Sequence, residues 1–243
     1  MSTLVFAHRG ASGLHPENTM EAFHAAVRKR ADGIELDVQL SRDDKLVVIH
    51  DHRLERTTNG SGLVRGYTMR ELRQLRADKD SSMRVPKARI PVLREVFQTF
   101  SDTSLHFIIE LKNFFLAQPQ LEEKVIELIR RYQLTERTII STFNFDSLLR
   151  IKELDPAQTT GLLYVGPIAK PWAVASQYRC EQLHVPYDQL TPELVRQAKQ
   201  RNLTVYGWTV NSSRQIQNAI EYGVDGIITN YPGRARKIIE ADA

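Results

Sequence analysis

Cysteine is nearly absent: Cys180 is the only one in 243 residues. An intramolecular disulfide is therefore impossible, a thiolate metal cage is out of reach, and a reducing, cytoplasmic compartment is expected. No apolar run approaches the roughly 18 residues of a membrane span, and the short apolar stretch near the N-terminus has no basic flank, so neither stable membrane insertion nor a cleaved signal is expected. Close sequence repeats and low-complexity tracts are missing too, which removes solenoids, collagen and wholesale disorder. Lysine and arginine number 33 against 29 acids, for a net charge of +4, and they are spread along the chain rather than gathered in one arm. With no basic stripe interleaved with aromatics, nucleic acid is not an expected partner, and the mild bias is toward small anions.

What is present is a chain with 42% apolar and 26% charged residues, enough for a sizeable core. Short β-branched runs alternate with amphipathic ones. Strands are expected at Leu4–His8, Gly33–Leu40, His106–Lys112, Thr138–Phe143, Gly161–Val165, Gln182–Pro186, Leu203–Thr209 and Asp225–Thr229. Helices are expected between them at Met20–Arg30, Leu121–Gln133, Asp146–Leu154, Ala169–Gln177, Pro192–Arg201, Ser213–Tyr222 and Gly233–Glu240. Eight alternating units predict an α/β fold with a closed parallel sheet, a (β/α)8 TIM barrel spanning 1–243 as one domain. Thr191-Pro192-Glu193 gives one helix start an N-cap, a first-turn proline and an acid, and Asn144 and Asn211 are expected to cap two others. The stretch 51–104 breaks the rhythm and is expected to be an insertion over the barrel mouth, carrying Arg65, Arg70, Arg73, Arg76 and Arg84.

Leu46–Ile49 follows Leu40 too closely for a crossover helix, so an antiparallel hairpin is expected. With Asp43-Asp44 as its turn, Asp37 falls opposite His50 and Val38 opposite Ile49.

Strand parity places Glu35 and Asp37 on one face, and Glu110 and Lys112 on another. Carboxylates inside apolar strands are costly unless paired or bound to a cation. An oxygen-only set of three suits one hard divalent ion such as Mg²⁺ or Ca²⁺, whereas the bland alternative is that these acids cap helices or pair with Lys112 and nearby arginines. His8 ends the first strand and His50 lies across the hairpin near Asp37, so the two are candidates for acid and base near neutral pH. His52 shares the parity of His50, and parity does not separate them. Arg9 and Lys112 stand at the same strand ends as the acids and could clamp a phosphoryl group or simply pair with those acids. Trp208 could wall a pocket or pack in the core.

Together, His8-Arg9-Gly10, Pro16-Glu17-Asn18-Thr19, Glu35-Leu36-Asp37-Val38, His50-Asp51, Arg56-Thr57-Thr58-Asn59-Gly60, Glu110-Leu111-Lys112 and Gly207-Trp208-Thr209-Val210-Asn211 occur in an order that resembles the glycerophosphodiester phosphodiesterases. The resemblance runs from Leu4 to about Pro232. It implies metal-dependent hydrolysis of glycerophosphodiesters to sn-glycerol 3-phosphate and an alcohol. Glu35, Asp37 and Glu110 would hold the metal, His8 and His50, rather than His52, would be the acid and base, Arg9 and Lys112 would hold phosphate, and Trp208 would border the alcohol. Two departures are visible. Leu75–Arg84 lacks the Leu-Asp-Ala-Gly pattern common there, and Asn230 replaces an aspartate common in the family, at a strand end where it is expected to matter little. A phospholipase acting on lysolipids or sphingolipids is the alternative within enzymes and would want an exposed apolar lip, where the insertion is charged. A non-catalytic phosphate-ester binding barrel is the alternative outside them.

Overall fold

Parity within the strands sorts the buried residues into two layers. In the computed structural model, which describes residues 3–79 and 88–241, the strands are β1 (Leu4–His8), β2 (Gly33–Leu40), β3 (Leu46–Val48), β4 (His106–Leu111), β5 (Thr138–Thr142), β6 (Thr159–Leu163), β7 (Gln182–Pro186), β8 (Thr204–Trp208) and β9 (Gly226–Thr229). The sheet runs β1-β9-β8-β7-β6-β5-β4-β2 in parallel, and β1 pairs with β2 to close it. The (β/α)8 TIM barrel expected from the rhythm is the fold; β3 lies outside it, antiparallel on β2. The helices are α1 (Met20–Arg28), α2 (Met69–Leu72), α3 (Leu93–Phe100), α4 (Leu121–Arg131), α5 (Phe145–Leu154), α6 (Pro171–Gln177), α7 (Pro192–Lys199), α8 (Ser213–Glu221) and α9 (Pro232–Ala241).

Ile34, Leu36, Val38 and Leu40 of β2 point outward and join Phe23 of α1 and Phe97 of α3 in the layer between sheet and helices. Inward-facing Phe6, Ile108, Ile139, Tyr206 and Ile228 fill the barrel itself. Phe6 and Tyr206 meet edge to face, 5.4 Å between centroids. The space for these rings comes from glycines on adjacent strands: a Cβ on Gly33 would sit 2.3 Å from the Phe6 ring, and one on Gly226 would sit 2.3 Å from that of Tyr206. This aromatic plug is the floor on which the polar ends of the strands stand.

Local chemistry explains the helix starts. Thr19 and Thr191 each accept a backbone N–H three residues on, from Ala22 and Leu194. Of the two asparagine caps expected, Asn144 precedes α5 without a side-chain cap bond, and α8 is capped by Ser212, not Asn211, with Gln215 closing a capping box.

Two sequence expectations need correction. The hairpin register is one residue off: Val38 pairs with Val48, and Ile49 N–H donates to the Asp37 carbonyl, so Asp37 faces Ile49 rather than His50. The strand expected at Gly161–Val165 starts two residues earlier, at Thr159. The stretch 51–104 holds two different things. Leu54, Val64, Leu72 and Ile90 form a small apolar cluster with Val47 and Ile49 over β3, whereas α3 buries Leu93, Val96, Phe97 and Phe100 against the barrel as its second crossover helix. Arg84 and part of Leu75–Arg84 lie outside the described residues.

Candidate active site

β2 is buried along its whole length, flanked by β1 and β4. Its register sets Glu35 beside His8 on one side and Asp37 beside Glu110 on the other. Ligand oxygens of Glu35, Asp37 and Glu110 lie within 4.8 Å of one another, all three residues buried. Burial, reinforced by the charges of its two neighbours, pushes the Glu35 carboxyl well above the ordinary range. Burial and Asp37 push Glu110 up to about 7. Burial works on Asp37 in the same direction, but Arg9 and Lys112 override it and hold that carboxyl well below the ordinary range. Asp37 Oδ1 is buried with no hydrogen-bond partner. Three crowded oxygen donors, two resisting ionisation and one without a hydrogen bond, fit a hard divalent cation.

The cations beside them are committed. Lys112 Nζ lies 2.5 Å from Glu110 Oε1 and 3.7 Å from Asp37 Oδ1. Arg9 Nε is 3.2 Å from Asp37 Oδ2, and its Nη1 donates to Glu17 Oε1 at 3.0 Å. Arg9 sits at φ 54°, a left-handed conformation unusual for its type. There its backbone N–H donates to Glu35 Oε2 at 3.0 Å.

The two histidines have unlike partners. His8 Nδ1 is 2.6 Å from Asn230 Oδ1, which also accepts from Ser12 Oγ. An amide oxygen can only accept, so it fixes the proton on Nδ1 and leaves Nε2, 4.0 Å from Glu35, with its lone pair. Burial and Arg9 lower the His8 imidazole to about 4. His50 Nδ1 is 2.5 Å from Asp51 Oδ1, a carboxylate that steadies an imidazolium. Burial still draws the His50 pKa below its usual value, against the pull of Asp37. Asp51 in turn accepts from Arg56, which also bonds Glu17 at 2.7 Å, so ion pairs run from His50 to Arg9 and Asp37. Gln39 Nε2 donates to the carbonyls of Ile49 and Asp51, on either side of His50.

His8, Arg9, Glu35, His50, Glu110 and Trp208 share the wall of one cavity of about 150 Å³ at the carboxyl ends of the strands. Asp37 and Lys112 stand behind that wall. Trp208 is anchored by its indole N–H on the His184 carbonyl at 3.0 Å and meets Phe143 at 6.1 Å. His184, expected to be structural, lies in the cavity wall, lowered to about 3 by burial. His52 bonds Gln39 and does not line the cavity; nor do His15, His24 or His106.

Sequence reasoning missed the supporting shell. Asn18, at φ 55°, donates to Asp37 Oδ2 at 2.7 Å and accepts from the Asp37 backbone N–H. Asn230, expected to matter little, holds His8. The motif order alone could have flagged Glu17, Asn18 and Arg56, because each sits in a short run shared with the family but without a role assigned to it.

The sequence profile of the glycerophosphoryl diester phosphodiesterase family matches residues 8–234. The chain belongs to that family. It is 43% identical over 232 residues to a glycerophosphodiester phosphodiesterase of Caldanaerobacter subterraneus subsp. tengcongensis, covering 96% of each chain. It is 40% identical to another from Bacillus altitudinis, covering 98% of each. The fold is similar to that of a phosphodiesterase from Oleispira antarctica solved with the product sn-glycerol-3-phosphate, at 28% identity and TM-score 0.87, covering 98% of this chain and 97% of that one. A glycerophosphodiester phosphodiesterase from Thermotoga maritima matches at 29% identity and TM-score 0.81, with 98% and 99% covered. The protein is thus an enzyme, a phosphoric diester hydrolase. Among the described residues of this phosphodiesterase, no helix is long and apolar enough to cross a membrane.

Proposed function

We propose that the enzyme hydrolyses glycerophosphodiesters, such as glycerophosphocholine or glycerophosphoethanolamine, to sn-glycerol 3-phosphate and an alcohol, with His8 as base and His50 as acid. The observation that carries this division is the pair of unlike partners: a neutral amide behind His8 and a carboxylate behind His50. His8 Nε2 takes a proton from the attacking water as its oxygen bonds to phosphorus. The phosphorus bond to the alcohol oxygen breaks, and His50 Nε2 delivers a proton to that oxygen. The same base serves if a glycerol hydroxyl attacks first to give a cyclic phosphate. Arg9, in the cavity wall, faces the phosphoryl oxygens, with Lys112 adding positive charge from behind the carboxylates. Trp208 and Phe143 border the departing alcohol. Glu35, Asp37 and Glu110 would hold one divalent cation, Mg²⁺ or Ca²⁺, which supplies Lewis-acid stabilisation of the phosphoryl charge.

Release of sn-glycerol 3-phosphate tests the reading. His50→Ala is expected to bind Mg²⁺ or Ca²⁺ as the parent does in calorimetry and to lose about 10²–10⁴ in kcat. Glu35→Ala is expected to lose the metal as well. A fully active His50→Ala enzyme would contradict the proposed acid.

A further inference from the structure

The catalytic cavity does not end at its polar residues. Phe143 and Leu163 also belong to the wall of a second cavity, about 440 Å³, completed by Phe114, Val165, Ile168 and Tyr178 among others. No lysine or arginine lines it, and Asp146 is its one charged residue. Aromatic rings lead from one cavity to the other: Trp208 to Phe143 at 6.1 Å, Phe143 to Phe114 at 6.5 Å, and Phe114 to Phe115 at 4.9 Å. At the outer end, Phe115 is 85% exposed, Val165 67% and Phe114 57%.

Singly scattered apolar residues on a surface mean nothing, but three large ones around one groove that opens from an active site do. These residues sit on the β4–α4 and β6–α6 connections. An exposed apolar lip, absent from the charged 51–79 segment, is therefore present on the other side of the mouth. The volume falls in the range of roughly 300–1,000 Å³ that takes small-molecule ligands. A glycerophosphodiester with a choline or ethanolamine head has no apolar part to fill an uncharged groove of this kind. One fatty-acyl chain on the glycerol does.

We propose that this groove is an acyl-chain subsite and that the enzyme also hydrolyses lysophospholipids, glycerophosphodiesters that keep one acyl chain. The inference rests on the glycerophosphodiester reading above. The reaction is the same hydrolysis. Water oxygen bonds to phosphorus, the phosphorus bond to the choline oxygen breaks, that oxygen takes a proton, and lysophosphatidate and choline leave.

The test measures choline release from glycerophosphocholine and from its 1-hexanoyl, 1-octanoyl and 1-decanoyl esters, each below the concentration at which it forms micelles. Free monomers exclude adsorption to a lipid surface as the source of any gain. Each methylene taken out of water is expected to raise kcat/KM by about fourfold, so the octanoyl ester should exceed glycerophosphocholine by at least tenfold. Val165→Asp, at an exposed position outside the catalytic cavity, should abolish that gain and leave glycerophosphocholine turnover unchanged. A kcat/KM that is flat or falls with chain length overturns the subsite, as does a Val165→Asp enzyme that keeps the full gain. Absence of release from glycerophosphocholine, glycerophosphoethanolamine and every ester alike would instead bring down the glycerophosphodiester reading, and this inference with it.

Discussion

Asn230 offers the most direct access to how the base is set. Its Oδ1 accepts from His8 Nδ1 at 2.6 Å and from Ser12 Oγ at 3.2 Å, while its own backbone N–H is held by Asn211 Oδ1 at 2.9 Å. Asn230→Leu keeps the bulk and removes the acceptor. A net hydrogen bond is worth about 0.5–1.5 kcal/mol, and stranding a buried donor costs about 1–3 kcal/mol. The tautomer with Nδ1 protonated therefore loses on the order of 1–2 kcal/mol of preference, and kcat should fall about 5–30-fold with little change in KM. Asn230→Asp keeps the acceptor and adds a charge. A carboxylate there favours the imidazolium, raising the His8 pKa from about 4 toward neutrality, so protonation silences the base at a higher pH. The acidic limb of the pH–rate profile should move to higher pH while the plateau above it stays close to that of the parent. Steady-state release of sn-glycerol 3-phosphate across pH reads both variants. An Asn230→Leu enzyme with parental kcat, or an Asn230→Asp profile with an unmoved acidic limb, would refute the argument.

Other outcomes follow from the carboxylates and the floor. Glu110 is raised in the folded protein from the ordinary 4.5 to about 7, so without metal its contribution to stability is lost as pH rises through that window. The metal-free melting temperature should therefore drop between those pH values, and saturating Mg²⁺ or Ca²⁺ should flatten the slope and raise Tm. Glu35→Gln relieves one of three crowded carboxylates, so by thermal melting it should be at least as stable as the metal-free parent yet gain nothing from added metal. Gly226→Ala forces a methyl to within 2.3 Å of the Tyr206 ring and should cost about 1–3 kcal/mol in urea unfolding. Gln39→Met breaks both bonds that flank His50, and about tenfold lower kcat with unchanged metal affinity is expected from activity assays and calorimetry.

The barrel was legible because strand and helix periods differ and recur along the chain. The carboxylate set was legible for the same reason: parity put Glu35 with Asp37, and only the β2–β4 pairing was needed to bring Glu110 to them. Register in a hairpin is a finer quantity, and two aspartates at its turn did not specify it. The left-handed residue is Asp44 alone, at φ 56°, and the pairing closes one residue tighter. Helix α3 carried its signal openly, with Leu93, Val96, Phe97 and Phe100 at helical spacing, but only eight residues long and next to an irregular segment. The polar shell was invisible for a different reason. His8 and Asn230 are 222 positions apart, and nothing in local pattern reports which strand ends meet once a sheet closes on itself. The apolar lip was overlooked because Phe114 and Phe115 directly follow a polar strand end and read there as ordinary loop residues.

The placement of His50 has one further consequence. The three carboxylates and His8 are carried by strands hydrogen-bonded on both sides within the closed barrel, whereas His50 lies two residues past β3, a three-residue strand on its outside. It is held by the Gln39 amide, the Asp51–Arg56–Glu17 ion pairs and a small separate apolar cluster, each worth far less than the barrel. Warming should accordingly dislodge the proton donor first. Turnover would decay while circular dichroism and metal binding still report an intact protein, making the enzyme's working temperature a property of this attachment and not of its most stable part.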